Sequence, residues 1–221
     1  MRTVAVLPVK SFARAKQRIA DAVADDERRS LAEAMVGDVL AALELVGGLH
    51  GVVVVTAEAR ARALALQAGA SVVHDHHEAG QSAAALEGIR AALAEGADRV
   101  LLVPGDCPAL DPDEVETLLE SASGAGVVIV PDRHGTGTNA LLLTPPDAIA
   151  PAFGEGSFAR HSAAAQAAGA ALRVARLSSL GLDVDTPGDL AALRAALQAG
   201  PKGAVRTRAV LDRLAPALSS S

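Results

Sequence analysis

Short runs of β-branched and aliphatic residues recur along the chain at 3–9 (TVAVLPV), 51–56 (GVVVVT), 71–74 (SVVH), 99–104 (RVLLVP), 127–131 (VVIVP) and 140–144 (ALLLT). Each is too short for a typical helix and apolar at successive positions, as expected of a buried strand. Amphipathic stretches lie between most of them. From Glu27 to Val46 the apolar stripe is Leu31, Met35, Val39, Leu43 and Val46, at helical spacing, and 57–68, 82–95 and 111–121 read the same way. Strand–helix alternation predicts a largely parallel sheet with helices on both faces. The rhythm breaks at 131–139, where a Gly-rich loop joins two strand-like runs with no helix between them, and an antiparallel insertion is predicted there. Beyond it the pattern predicts a helix over 157–170, a strand near 172–177 and a helix from Pro187 to about Gln198; the tail from about 216 to 221 reads as frayed. No repeat or long linker interrupts the 221 residues, so the expectation is one α/β domain over 1–221.

Composition then removes whole classes of function. Half of the residues are apolar, but they are mainly Ala, Val and Leu, with three Phe and no Trp or Tyr. The core is therefore aliphatic, and aromatic platforms for stacking bases are absent. A formal net charge of -6 argues against nucleic acid as a partner, since phosphate-tracking proteins carry a basic excess. The single cysteine, Cys107, excludes an internal disulfide and a cysteine-based metal cluster, and fits a reducing cytoplasm. No leader pattern is present and the apolar runs are far too short to span a bilayer. A soluble, cytoplasmic protein with no membrane partner is expected.

In open parallel sheets ligands sit beyond the carboxyl ends of the strands, and this selects the loops that matter. After the first run comes PVKSFARAKQR, residues 8–18, where Lys10, Arg14, Lys16 and Arg18 follow Pro8. Backbone N–H and ammonium groups there can converge on a polyphosphate, although the Gly-rich P-loop pattern is missing; the alternative is a solvated basic turn. After the run at 99–104 comes PGDCPAL, which sets Asp106 at the end of an internal strand. Alone, Asp106 reads as well as an Asx turn or a cap.

The segment GLDVDTP, residues 181–187, changes that balance. In an extended segment Asp183 and Asp185 share a face with Cβ atoms about 7 Å apart, and two like charges so placed repel unless a cation lies between them. The local alternative is that Asp185 caps the helix opening at Pro187 while Asp183 faces water. With Asp106 they make three carboxylates from two loops, an oxygen-ligand set suited to magnesium. PDRHGTGTNALLL, residues 131–143, offers glycines and small hydroxyls that can approach an anion. In FGEGSFARH, residues 153–161, Ser157 is expected to cap a helix whose N-terminus attracts a carboxylate or phosphate; Arg160 and His161 lie one turn in, with ordinary surface placement the alternative to a site role for both and the favoured reading for His161. HDHHE, residues 74–78, lacks zinc-ligand spacing and reads as a polar loop. No serine, cysteine or histidine arrangement indicates a covalent nucleophile.

Taken together, LPVKSFARAKQR, GDCPAL, PDRHGTGTNALLL, FGEGSFARH and LDVDTPGDL resemble the guanylyltransferases of coenzyme F-420 biosynthesis. The resemblance implies a Rossmann-like, nucleotide-diphospho-sugar transferase-like fold and the transfer of a guanylyl group from GTP to phosphoenolpyruvate or 2-phospho-L-lactate. It implies magnesium as cofactor, with Asp106, Asp183 and Asp185 as ligands. Pro8, Lys10, Lys16, Gly80 and Ser82 fall at nucleotide-binding positions, Lys16 and Asp106 at catalytic ones, and Thr138, Gly154 and Ser157 at those holding the phosphorylated acid. Many relatives carry Gly-Leu-Asn before the helix near the base pocket, whereas this chain has Gly80-Gln81-Ser82. The Ala- and Arg-rich composition, typical of high-GC bacteria, favours phosphoenolpyruvate as acceptor. The product, enolpyruvoyl-2-diphospho-5'-guanosine, would pass to the downstream transferase of the same pathway. A homodimer is an option, since the apolar insertion could pair between subunits. The rival readings are a transferase for another phosphorylated acid or sugar phosphate and a non-catalytic nucleotide-binding regulator; the three carboxylates weigh against the regulator, because binding alone does not demand them.

Overall fold

The six apolar runs and the strand expected near 172–177 form one sheet. In the computed structural model, which describes residues 1–20, 23–122, 124, 126–200 and 203–218, the strands are β1 (Thr3–Val9), β2 (Val52–Thr56), β3 (Ser71–His74), β4 (Arg99–Leu102), β5 (Val127–Pro131), β6 (Thr138–Leu143) and β7 (Leu172–Val174). Their order is β3-β2-β1-β4-β6-β5-β7. β6 alone runs against its neighbours, pairing antiparallel with both β4 and β5, while the other pairings are parallel. The expected antiparallel insertion is therefore real, and it lies inside the sheet. Both β5 and β6 are flanked on each side, which leaves the insertion no free strand edge for pairing between subunits; the edges of the sheet are β3 and β7.

The helices are α1 (Asp25–Glu44), α2 (Ala59–Gln67), α3 (Gln81–Ala94), α4 (Pro112–Ser121), α5 (Ser157–Ala167), α6 (Pro187–Ala199) and α7 (Val205–Leu218). On one face of the sheet, Leu7, Val54, Leu101 and Leu142 meet α1, α2 and α4. On the other, Val6, Val55, Leu102, Leu141 and Leu143 meet α3 and α5. Gly88 of α3 permits the closest of these approaches, since a Cβ there would come within 2.3 Å of the Val6 side chain. Burying aliphatic surface on both faces is what stabilises a sheet this rich in Val and Leu.

A third cluster lies outside the sheet. Leu31 and Met35 on a second stripe of α1 pack with Val184, with Leu190, Leu193 and Leu197 of α6, and with Val210, Leu211 and Leu214 of α7. Helix α7 has no counterpart among the expected elements, although Thr207, Val210, Leu211 and Leu214 are spaced i, i+3, i+4, i+7 and are all buried. Its start is tied down from another element: the buried carboxylate of Asp38 in α1 accepts the N–H groups of Arg206 at 3.1 Å and Thr207 at 2.7 Å, two of the donors that a helix N-terminus leaves free. The helix runs on to Leu218 where fraying was expected from about 216; residues 219–221 lie outside the described residues.

Candidate active site

The carboxyl ends of β1 and β4 open into a cleft of about 340 Å³ lined by Pro8, Lys10, Lys16, Gly80, Asp106 and Asp185, among others. The 10–16 loop that forms one wall is held from two sides. Glu58, at the start of α2, accepts the Phe12 N–H at 3.0 Å, and the buried Arg28 of α1 donates to the Ala15 carbonyl at 3.4 Å. Directly after these ties Lys16 adopts a left-handed backbone, φ 57°, a conformation that costs a side-chain-bearing residue on the order of 1 kcal/mol. That backbone turns its ammonium inward. Nζ lies 2.6 Å from Asp106 and 3.4 Å from Asp185, with the side chain only 7% exposed. Burial works against the charge of Lys16, yet the two carboxylates outweigh it and hold its pKa above the ordinary lysine value.

Among the described residues Asp183 has no such cation. Its carboxylate accepts from Asn139 Nδ2 at 3.1 Å, and the same amide donates to the Leu180 carbonyl at 2.8 Å. Burial, then the charge of Asp106, pushes the Asp183 pKa up against the pull of that hydrogen bond. Among the described residues the three carboxylates do not converge on a common cation position; Lys16 bridges two of them. The local alternative, in which Asp185 caps the helix and Asp183 faces water, is overturned. Thr186 caps α6, its hydroxyl accepting from the Asp189 N–H while Asp189 accepts from the N–H groups of Thr186 and Asp185. Asp185 does not cap, and Asp183 is half-buried rather than facing water. Cys107, between these groups, is buried with a thiol pushed well above its usual pKa by burial and the neighbouring carboxylates; it is an inert packing residue.

The other expected site residues, Ser82, Thr138, Gly154 and Ser157, are not among those that line the cleft. Thr138, the first residue of β6, is buried, as is Ser157 at the start of α5, while Gly154 is exposed with φ 110°. Ser157 is not the cap expected of it: Gly156, in the left-handed conformation at φ 68°, holds that position without a side-chain hydrogen bond. Ser82 does not line the cleft; its hydroxyl accepts the Phe153 N–H at 2.8 Å and so ties α3 to the 152–156 loop. Arg160 is exposed, and it clamps this loop by donating to the carbonyls of Ala152, Phe153 and Glu155. His161 is the clear correction: it is fully buried, not on the surface.

A β-bulge in β6 lets one strand serve both sides of the sheet. The pairing with β5 shifts by one residue between Val130 and Pro131, leaving Asn139 as the extra residue. Regular alternation would put Asn139 on the Leu141 face with α5 and Thr138 on the opposite one. With the bulge the partners are exchanged, so that Thr138 reaches His161 of α5 and Asn139 reaches Leu180 and Asp183.

With this geometry in hand, comparison with known proteins becomes decisive. Residues 3–196 match the family model described as "Guanylyl transferase CofC like". The chain belongs to that family. Among curated guanylyltransferases, the phosphoenolpyruvate guanylyltransferase of Conexibacter woesei is 48% identical over 97% of each chain. The 2-phospho-L-lactate guanylyltransferase of Methanothermobacter thermautotrophicus is 35% identical over 86% of this chain and 83% of its own. A solved structure from Desulfovibrio desulfuricans, titled as a nucleotide-diphospho-sugar transferase, superposes with a TM-score of 0.78 at 16% identity, covering 100% of this chain and 98% of that one, a likeness of fold alone. The guanylyltransferase fold read from the sequence is therefore the fold present. Reasoning from sequence missed the supports of the guanylyltransferase cleft: Glu58, Arg28, Asn139 and His161. Asn139 stands inside the quoted GTGTNALLL segment, whereas Glu58 and Arg28 act over 46 and 13 positions with no local signal.

Proposed function

We propose that the protein transfers the guanylyl group of GTP to phosphoenolpyruvate, releasing pyrophosphate and forming enolpyruvoyl-2-diphospho-5'-guanosine for a downstream transferase of coenzyme F-420 biosynthesis in the cytoplasm. The observation that carries this is the cleft in which Lys16 stands between Asp106 and Asp185, in a chain of the guanylyltransferase family. A phosphate oxygen of the acid attacks the α-phosphorus of GTP, and the bond to the β,γ-pyrophosphate breaks. The attacking phosphate is already an anion at neutral pH, its second pKa being about 6, so no general base is required. What the site supplies is positioning and charge. Lys16 and Lys10 neutralise the triphosphate, Lys16 facing the oxygens on which charge grows as pyrophosphate departs. Pro8 and Gly80 shape the nucleotide side of the cleft.

The donor chemistry suits magnesium, since Asp106, Asp183 and Asp185 offer oxygen atoms only, but among the described residues the three are not gathered on one point and the Lys16 ammonium stands between two of them. These three would hold the ion, which when bound would neutralise phosphate oxygens. On the acid side Thr138, Gly154 and Ser157 offer a hydroxyl, a close-approaching backbone and a helix N-terminus, neutral donors that bind an anion without adding charge beside the metal. The name of the archaeal relative gives phospholactate as the competing acceptor. Pyrophosphate release from GTP and magnesium chloride with each acid tests the reading: turnover with phosphoenolpyruvate at least tenfold above phospholactate is expected, reversed preference would exchange the acceptor, and no release with any phosphorylated acid would return the chain to a binding role.

A further inference from the structure

His161 makes two hydrogen bonds that together fix its tautomer. The Ala152 N–H points at Nε2 from 2.8 Å, so Nε2 must be the unprotonated acceptor. Nδ1 lies 3.0 Å from Thr138 Oγ1. The ring is fully buried, with Phe153 packed edge-on at 5.2 Å between centroids. Burial, with a smaller contribution from Arg160, lowers its pKa to about 4, so the imidazole is neutral at physiological pH and its one proton sits on Nδ1. That proton is donated to Thr138 Oγ1. A hydroxyl that accepts on this side turns its own hydrogen elsewhere, and among the described residues no protein acceptor takes it.

We infer that His161 is a positioning residue that holds the Thr138 hydroxyl as a hydrogen-bond donor toward an anionic oxygen of the acceptor acid. The inference rests on the proposed acid pocket and adds to it a direction: with the His161 proton taken up by one lone pair, the Thr138 hydrogen is left to be given there, so the hydroxyl favours phosphate or carboxylate oxygen. The same ring accepts from Ala152, at the start of the loop that carries Gly154, so one imidazole registers both walls of the pocket.

Two substitutions separate its two bonds. In His161→Asn the amide nitrogen falls near the place of Nδ1 and keeps a donor for Thr138; in His161→Gln the amide falls near Nε2 and keeps only the Ala152 contact. KM for phosphoenolpyruvate and for GTP, with kcat, would be measured for both, for Thr138→Val and for the Thr138→Val/His161→Gln pair. We expect His161→Gln to raise the acid's KM about tenfold with the GTP KM unchanged, His161→Asn to recover most of the loss, and the double variant to be no worse than Thr138→Val alone. Multiplying losses in the double variant, or equal losses for acid and GTP, would overturn the positioning role. A normal acid KM in Thr138→Val would instead remove the acid pocket itself, a distinguishable failure. Should the His161 variants not fold, the ring nitrogens of the native protein decide by 15N NMR at neutral pH: a proton on Nδ1 is expected, and a proton on Nε2 or an imidazolium would overturn it.

Discussion

A carboxylate that is uncomfortable in the folded protein leaves a mark on stability. Asp183 has its pKa raised by burial and by Asp106, so between its ordinary pKa and the raised one the folded state binds more protons than the unfolded state. Stability contributed by the neutral form is complete below that window and is lost as pH rises through it. Asp183→Asn keeps an acceptor for Asn139 and removes the charge. The metal-free variant is therefore expected to melt higher than the parent at neutral pH, while magnesium-dependent turnover is lost; melting curves in EDTA at pH 7, with a pyrophosphate assay, check both halves. Asp106 was legible because it follows an apolar run in a Gly/Pro-rich loop, and Asp183 and Asp185 because their spacing sets two like charges on one face of an extended segment. His161 was not, because an exposed and a buried histidine look alike inside FARH and only the packing of α5 against β6 distinguishes them.

At the level of elements, the strand–helix rhythm was legible because each element carries its own pattern over a few residues. The bulge was not, since register belongs to two strands at once; the expected strand at 140–144 starts two residues late for that reason and so leaves out Thr138 and Asn139. The start of α5 shows the same limit. Ser157 looks like a cap, but Gly156 fills that position, so Ser157→Ala is expected to cost less unfolding free energy than the roughly 1 kcal/mol that goes with loss of a true cap. Gly154→Ala must place a side chain at φ 110°, although its Cβ would meet nothing closer than Arg160 at 3.7 Å. The penalty is thus backbone strain on the loop rather than a clash. Calorimetric titration should find phosphoenolpyruvate binding weakened more by Gly154→Ala than by Ser157→Ala, with GTP binding unchanged in both.

Across the whole molecule, the 183–185 segment is braced from behind: Val184 is fully buried among side chains of α1, α6 and α7, and Asp38 anchors α7 to α1. Asp38→Ala strips two N–H groups of their acceptor, and a loss of about 1–2 kcal/mol in urea unfolding is expected, together with faster amide exchange at residues 183–185. Sequence distance gives the site a further property. Lys16 meets Asp106 across 90 positions and Asp185 across 169. On a ribosome adding roughly 5–20 residues per second, the lysine emerges about ten to thirty seconds before its second partner exists. A nascent or truncated chain can complete β1, β2 and β3 and still own no reaction centre. Chemistry at the proposed site begins only once the chain has been made as far as Asp185, so copies that stop short of it draw on neither of the phosphate compounds that a longer one would join.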